Sequence, residues 1–184
     1  MDSLAGKLLI AVPDLGDANF FRSVVLIFQH DDGGASGVIL NRPSNMTIGK
    51  VWDKIAPEME CLNDDPVYVG GPVPGPLMAL HNAMAYSDNE ILPGLYLTME
   101  RENLNALVRE PDRNLRIFSG YAGWGPNQLE NEMEVGGWLT LPADANHVFD
   151  SPDELWKRVC EQVGHKIMLP RLSKKSGKAD PNLN

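Results

Sequence analysis

Cysteine is scarce in this 184-residue chain: there are two, Cys61 and Cys160. They form no CxxC pair and no metal-ligand cluster, so a disulfide framework and a zinc ribbon are both excluded. The expectation is two buried, reduced thiols in a cytoplasmic protein. No apolar run approaches the roughly 18–20 residues that a membrane helix needs. The N-terminal run Leu8–Val12 is too short for a signal h-region, and Asp2 stands where positive charge belongs, so no signal peptide is expected. No GKS or GKT follows a glycine-rich loop, and GxGxxG and the GxSxG elbow are missing, which removes the common nucleotide-binding and serine-hydrolase signatures. Histidine is sparse, with four residues and no HxH or HxxxH, so a metal site has no local support and no cofactor is expected.

Positive charge is also short. The net charge is −9, and it is unevenly placed. Residues 166–184 hold Lys166, Arg171, Lys174, Lys175 and Lys178 against Asp180, a balance of +4, which leaves −13 on the preceding 165 residues. Phosphate backbones are bound by clustered Lys and Arg, so direct nucleic-acid binding is not expected of this body. Residues 170–184 are polar and free of aromatics and read as a basic, flexible tail beyond a single domain at 1–169.

What is present is 43% hydrophobic residues, enough for one core. Lys7–Val12 and Ser23–Gln29 are apolar, β-branched runs with the look of buried strands. Gly37–Leu40 makes a hairpin with the second of these, and Asn41–Asn45 breaks it. Thr47 can cap a helix with Ile48, Val51, Trp52 and Ile55 on one face. Val67–Val69, Leu77–His81 and Leu95–Leu97 read as short strands. Thr98 can cap a helix to Arg109 that Pro111 ends. Leu115–Ser119 is a strand, a helix follows from about Asn127 to Met133, and Trp138–Leu141 is another strand. Ser151-Pro152-Asp153-Glu154 is a helix start leading to the apolar face Leu155, Trp156, Val159, Cys160 and Val163. Hairpins mixed with helices, without regular βαβ alternation, predict an α+β fold with a largely antiparallel sheet.

Four patches carry polar chemistry. Asp17 and Arg22 flank the mouth of the strongest strand and can bind a polar ligand or pair with each other. His30 ends that strand and can serve as an acid or base beside a carboxylate, or as a structural residue. Asn41-Arg42-Pro43 offers a guanidinium fork for carboxylate or phosphate, or plain turn chemistry. Gly70-Gly71-Pro72 exposes amides able to cradle an anion, although a sharp chain reversal explains it equally well. The densest patch is Gly120–Glu132, GYAGWGPNQLENE, which reads as a tight turn feeding a short helix. There Gln128 and Glu132 share one helical face, and Glu130 and Glu134 another.

Taken in order, GKLLIAVPDLGDANFFRSVVLIFQH, GVILNRP, YVGGPV and GYAGWGPNQLENE resemble the YqgE/AlgH family of bacterial proteins over roughly residues 4–165. The resemblance implies a compact α+β fold with a partly barrel-like sheet and flanking helices. It implies no established catalytic activity, and a role in transcriptional regulation proposed for some members. Asn127 departs from the family pattern, in which glycine is common at that position. Together these readings give one expected ligand site built from His30, Asn41, Arg42, Gly70, Gly71, Trp124, Gln128 and Glu132, serving a small anionic ligand or a protein partner. The competing expectation is an enzyme that uses His30 with Glu130 or Glu132 on a phosphorylated or acyl substrate.

Overall fold

The computed structural model describes residues 3–61, 63–110 and 114–164. The expected basic tail, and the helix stop at Pro111, lie outside these residues. Eight strands form one continuous curled, half-barrel path in the order β10-β1-β2-β3-β9-β6-β8-β7. Their ranges are β1 Lys7–Ala11, β2 Val24–Asp31, β3 Gly34–Ile39, β6 Val73–His81, β7 Asn89–Leu92, β8 Leu95–Thr98, β9 Leu115–Trp124 and β10 Trp138–Pro142. Two more strands, β4 Pro43–Thr47 and β5 Pro66–Val69, pair off the path. Every pairing is antiparallel except that of β5 with β9. The α+β expectation therefore holds.

Alternation along the strands explains why β1 and β2 look continuously apolar. Leu8 and Ile10 join Leu26, Leu40 and Phe118 in one core, while Leu9 and Ala11 join Val25, Ile27 and Ile39 in a second on the opposite face. Successive strand side chains point to opposite faces, so a sheet covered on both sides must be apolar at nearly every position. The first core is closed by a helix over residues 155–164 (α5), through Leu155, Val159 and Val163. The second is closed by α3 (Gln128–Glu134) through Leu129. A third core packs α1 (Ile48–Ile55) and α2 (Arg101–Leu107) against Ala79 and Ile117. Between β10 and α5 runs the short α4 (Ala145–Phe149).

Local signals account for most boundaries. Thr47 caps α1 as its sequence suggests, its hydroxyl accepting from the Lys50 N–H at 3.3 Å. α2 begins later than Thr98 suggests: its N-cap is Glu100, which has no side-chain capping bond, and Thr98 accepts only from the Glu100 N–H at 3.3 Å. Asp88 reaches across to accept from the Met99 N–H at 2.7 Å and the Glu100 N–H at 3.3 Å. Cys61 is buried and Cys160 half-buried, and both are free thiols.

One expectation is corrected: Gly120–Trp124 is no turn, since β9 continues through it with Gly120 in the left-handed region. The chain does reverse at Gly70-Gly71, β5 running parallel and β6 antiparallel to β9, but it reverses across β9 itself. A Cβ on Gly70 would sit 2.2 Å from the Gly120 carbonyl oxygen, and one on Gly71 would sit 2.1 Å from the Tyr121 carbonyl carbon. The two glycine-rich patches are glycine-rich because their backbones cross in contact.

Candidate functional site

The residues of the single expected site divide between the two ends of the β2–β3 hairpin. Asn41 caps one end: its side-chain oxygen accepts from the Val24 N–H at 2.9 Å and its amide donates to the Arg22 carbonyl at 2.9 Å. His30 lies at the other end, paired with Ala35, which in turn pairs with Trp124. At about 3.3 Å of rise per residue, the six steps from Val24 to His30 put about 20 Å between these ends. Gly70 belongs with the Asn41 end, since its carbonyl accepts from the Ile39 N–H and the neighbouring Val69 N–H donates to the Arg42 carbonyl. Trp124, Gln128 and Glu132 belong with His30. One pocket does not gather all eight residues.

At the His30 end the polar groups satisfy one another. One carboxylate oxygen of Glu132 accepts from both the Trp124 indole at 3.0 Å and the Trp138 indole at 2.8 Å. Its other oxygen accepts from Gln128 at 3.0 Å, and the Gln128 carbonyl accepts from the Gly125 N–H at 3.0 Å. Phe20 stacks on Trp124 and meets the edge of Trp138. This is a clasp that fixes α3 to the sheet. Pairing of Gln128 with Glu132 follows the i, i+4 spacing visible in the sequence.

His30 does meet a carboxylate, Glu130, at 2.7 Å. Its Nδ1 accepts from the Leu4 N–H at 3.0 Å, so the neutral ring carries its proton on Nε2 and donates it to Glu130. Only 7% of the His30 side chain is exposed. Glu130 is held below the usual carboxylate range by a backbone N–H bond and by the His30 contact. The pair borders a cavity of about 200 Å³ with Asp31, Asp32 and Asn127. Both ring nitrogens are engaged by the protein, so proton transfer to a substrate would first break one of these bonds. Among the described residues no group of three or more His, Cys, Asp or Glu could hold a metal ion.

The Asn41 end is different in character. Arg22 has φ of 51°, in the left-handed region that non-glycine residues rarely occupy. Its guanidinium lies 5.1 Å from the Phe21 ring centroid and 5.4 Å from that of Trp156. Phe21 is 55% exposed. Arg42 donates to the Phe21 carbonyl at 3.3 Å, and burial draws its guanidinium below its ordinary range, against the opposing influence of Asp17. Among the described residues neither arginine forms an ion pair with a carboxylate. Arg22, Asn41, Trp156 and Lys157 line a cavity of about 440 Å³, with Asp153 and Glu154 also on its wall. Trp156 is anchored by its indole N–H to the Ala11 carbonyl at 2.8 Å. The aromatic wall of the site is therefore Trp156. Its sequence signal was an apolar helix face, which gave no hint of a ligand role. Arg22 was visible as a charge at a strand mouth, without its conformation.

Comparison with known proteins agrees with the residue patterns. The AlgH-like family model matches residues 8–168. A UPF0301 protein of Xanthomonas campestris pv. campestris is 42% identical over 183 residues, covering 96% of each chain. One from Myxococcus xanthus is 39% identical over 171 residues, covering 89% of this chain and 93% of its own. Among solved structures, AlgH from Pseudomonas aeruginosa superposes with a TM-score of 0.73 at 30% identity, covering 87% of this chain and 89% of that one. Protein DIP2367 of Corynebacterium diphtheriae gives a TM-score of 0.67 at 27% identity, covering 86% of each. With its family model, its full-length relatives and its fold in accord, this chain belongs to the AlgH-like, UPF0301 family.

Proposed function

We propose that this chain is a non-enzymatic binding protein that takes a small anionic ligand, or an acidic segment of a protein partner, at its Arg22–Asn41–Arg42 end. A regulatory role is added to this reading on the family resemblance, and a cytoplasmic setting on the two unpaired cysteines. The observation that carries the binding role is Arg22. A non-glycine residue held at φ of 51° costs of order 1–3 kcal/mol, and such strain concentrates at functional sites. Here it sets a guanidinium against two aromatic rings at the mouth of a cavity, with no carboxylate partner among the described residues. Arginine and exposed aromatics are also the residue types that anchor interfaces.

Isothermal titration calorimetry with citrate and with inorganic phosphate tests the reading. Saturable binding that weakens on added salt and is lost in an Arg22→Gln, Arg42→Gln double variant is expected. Absence of binding for both anions, or equal binding by the double variant, removes the anion site.

The enzymatic alternative has one observation in its favour, the 2.7 Å contact of His30 with Glu130. Against it stands the Leu4 N–H on the second ring nitrogen. Screening generic phosphatase and esterase substrates against the protein and a His30→Ala variant separates the two readings. Turnover that disappears with His30 would favour the enzyme.

A further inference from the structure

A second cavity holds a buried cation whose nearby carboxylates, Asp150 and Asp65, act on it only from beyond ion-pair distance. Arg116 lies in β9 between Leu115 and Ile117 and is only 6% exposed. Two of its N–H groups are used, both by backbone carbonyls: one donates to Leu40 at 3.1 Å and one to Asp150. Its guanidinium stacks 4.6 Å from the Tyr68 ring centroid. No ion pair with a carboxylate forms among the described residues. A buried charge is normally paired, because it loses the solvation that water gives it. A guanidinium carries five N–H donors, so most of the fork is left without a protein acceptor.

Arg116 lines a cavity of about 230 Å³ with Tyr68, Asn114, Asp65, Leu115 and Phe149. Of the Arg116 nitrogens only Nε bonds to no protein acceptor, and it is not sealed in protein. Burial raises the Tyr68 hydroxyl above its ordinary range, so it stays a protonated donor at neutral pH. No hydrogen bond to its oxygen forms within the described residues. The cavity lining thus includes a guanidinium and a phenol, with Asn114 and Asp65 in exposed positions at it. The Asp65 carboxylate accepts no hydrogen bond among the described residues, although the Asp65 backbone is fixed by Asn63 and Ile48.

One cation and one anion on a small cavity match a ligand that carries both charges. A phosphate dianion would be opposed by Asp65, and a bare carboxylate would leave Asp65 unanswered. We infer that the Arg116 cavity binds a small zwitterionic amino acid, its carboxylate on Arg116 and Tyr68 and its ammonium toward Asp65. At about 30 Å³ per water, the cavity holds the equivalent of about eight waters, the scale of a short amino acid. Leu115 and Phe149 supply apolar contact for a short side chain.

Titration of the isotopically labelled full chain with alanine tests this, with acetate and methylammonium as the two half-ligands, followed at the Arg116 Nε–H and the backbone amides of 65–68 and 114–116. Alanine should bind roughly fivefold tighter than acetate, the scale of one partly exposed ion contact. Asp65→Asn should erase that preference, with acetate bound at least as tightly as by the parent. Tyr68→Phe should weaken both ligands. Because Arg116 also clasps two carbonyls, Asp65→Asn and Tyr68→Phe are the deciding variants, each checked for an unchanged amide spectrum elsewhere. No saturable shift with alanine, equal affinity for alanine and acetate, or a preference that survives Asp65→Asn would each overturn the proposal.

Discussion

Removing the Glu132 carboxylate should destabilise the protein while leaving anion binding at the Arg22 end intact. Trp124 is 5% and Trp138 4% exposed, and both indole N–H groups donate to the same Glu132 oxygen. In Glu132→Ala both donors lose their acceptor. A buried donor left unsatisfied costs about 1–3 kcal/mol, which gives about 2–6 kcal/mol for two. Glu132 is half-buried, so water can replace part of what is lost, and about 2–4 kcal/mol is the expected net. Glu132→Gln keeps one acceptor oxygen for the indoles, but turns a donor toward the Gln128 amide, and should cost about 1 kcal/mol. Urea unfolding followed by tryptophan fluorescence measures this. With a slope of about 2 kcal/mol/M, the Ala variant should lower the midpoint by about 1–2 M. A midpoint within about 0.2 M of the parent, together with lost citrate binding, would refute the structural reading and return Glu132 to a ligand role.

Further outcomes follow from other contacts. Gly71→Ala should destabilise by at least about 3 kcal/mol, because its Cβ would strike the β9 backbone, which cannot step aside; a thermal melt near that of the parent would contradict the crossing of the two strands. Asn127 has φ of 60°, so Asn127→Gly should change stability by no more than about 0.5 kcal/mol, whereas Asn127→Val should cost about 1–2 kcal/mol, as urea midpoints would show. Asp88 sits below the usual carboxylate range: burial acts to raise it, but the Met99, Thr98, Glu100 and Asn103 hydrogen bonds outweigh that effect. Its folded pKa is depressed, so its stabilising contribution is complete above the unfolded value of about 3.9 and is lost as pH falls through the lower folded value. The stability gap between the parent and Asp88→Asn should therefore be widest near neutral pH and close on acidification below about pH 4; a gap independent of pH would mean Asp88 does not hold the chain leading into α2 as a carboxylate.

Much of the fold was legible because it rests on local rules. Thr47 announced α1, and the unbroken apolar runs of β1 and β2 announced strands covered on both faces. The short polar strands β4 and β7 were not, since Pro43–Thr47 and Asn89–Leu92 carry no apolar alternation. Gly120–Trp124 misled for a physical reason. Glycine density normally signals a turn, but here it lets β9 pass against Gly70-Gly71, a relation between residues fifty positions apart. The candidate site failed as a single unit because sequence spacing does not show which end of a hairpin a residue occupies. The His30–Glu130 and Gln128–Glu132 contacts were readable, but both proved to be satisfied internal bonds. Arg116 was hidden inside an apolar strand, and the left-handed backbone of Arg22 leaves no trace in the residue types around it.

Chemical-shift mapping of a citrate titration on the labelled full chain decides whether the Arg22 end takes anions. Saturable shifts are expected at the Arg22 and Arg42 Nε–H groups and at the Asn41 side-chain amide, with the Trp124 and Trp138 indoles and the Gln128 amide unmoved. Shifts concentrated instead on those indoles and on Gln128, with Arg22 and Arg42 silent, would contradict anion binding at that end.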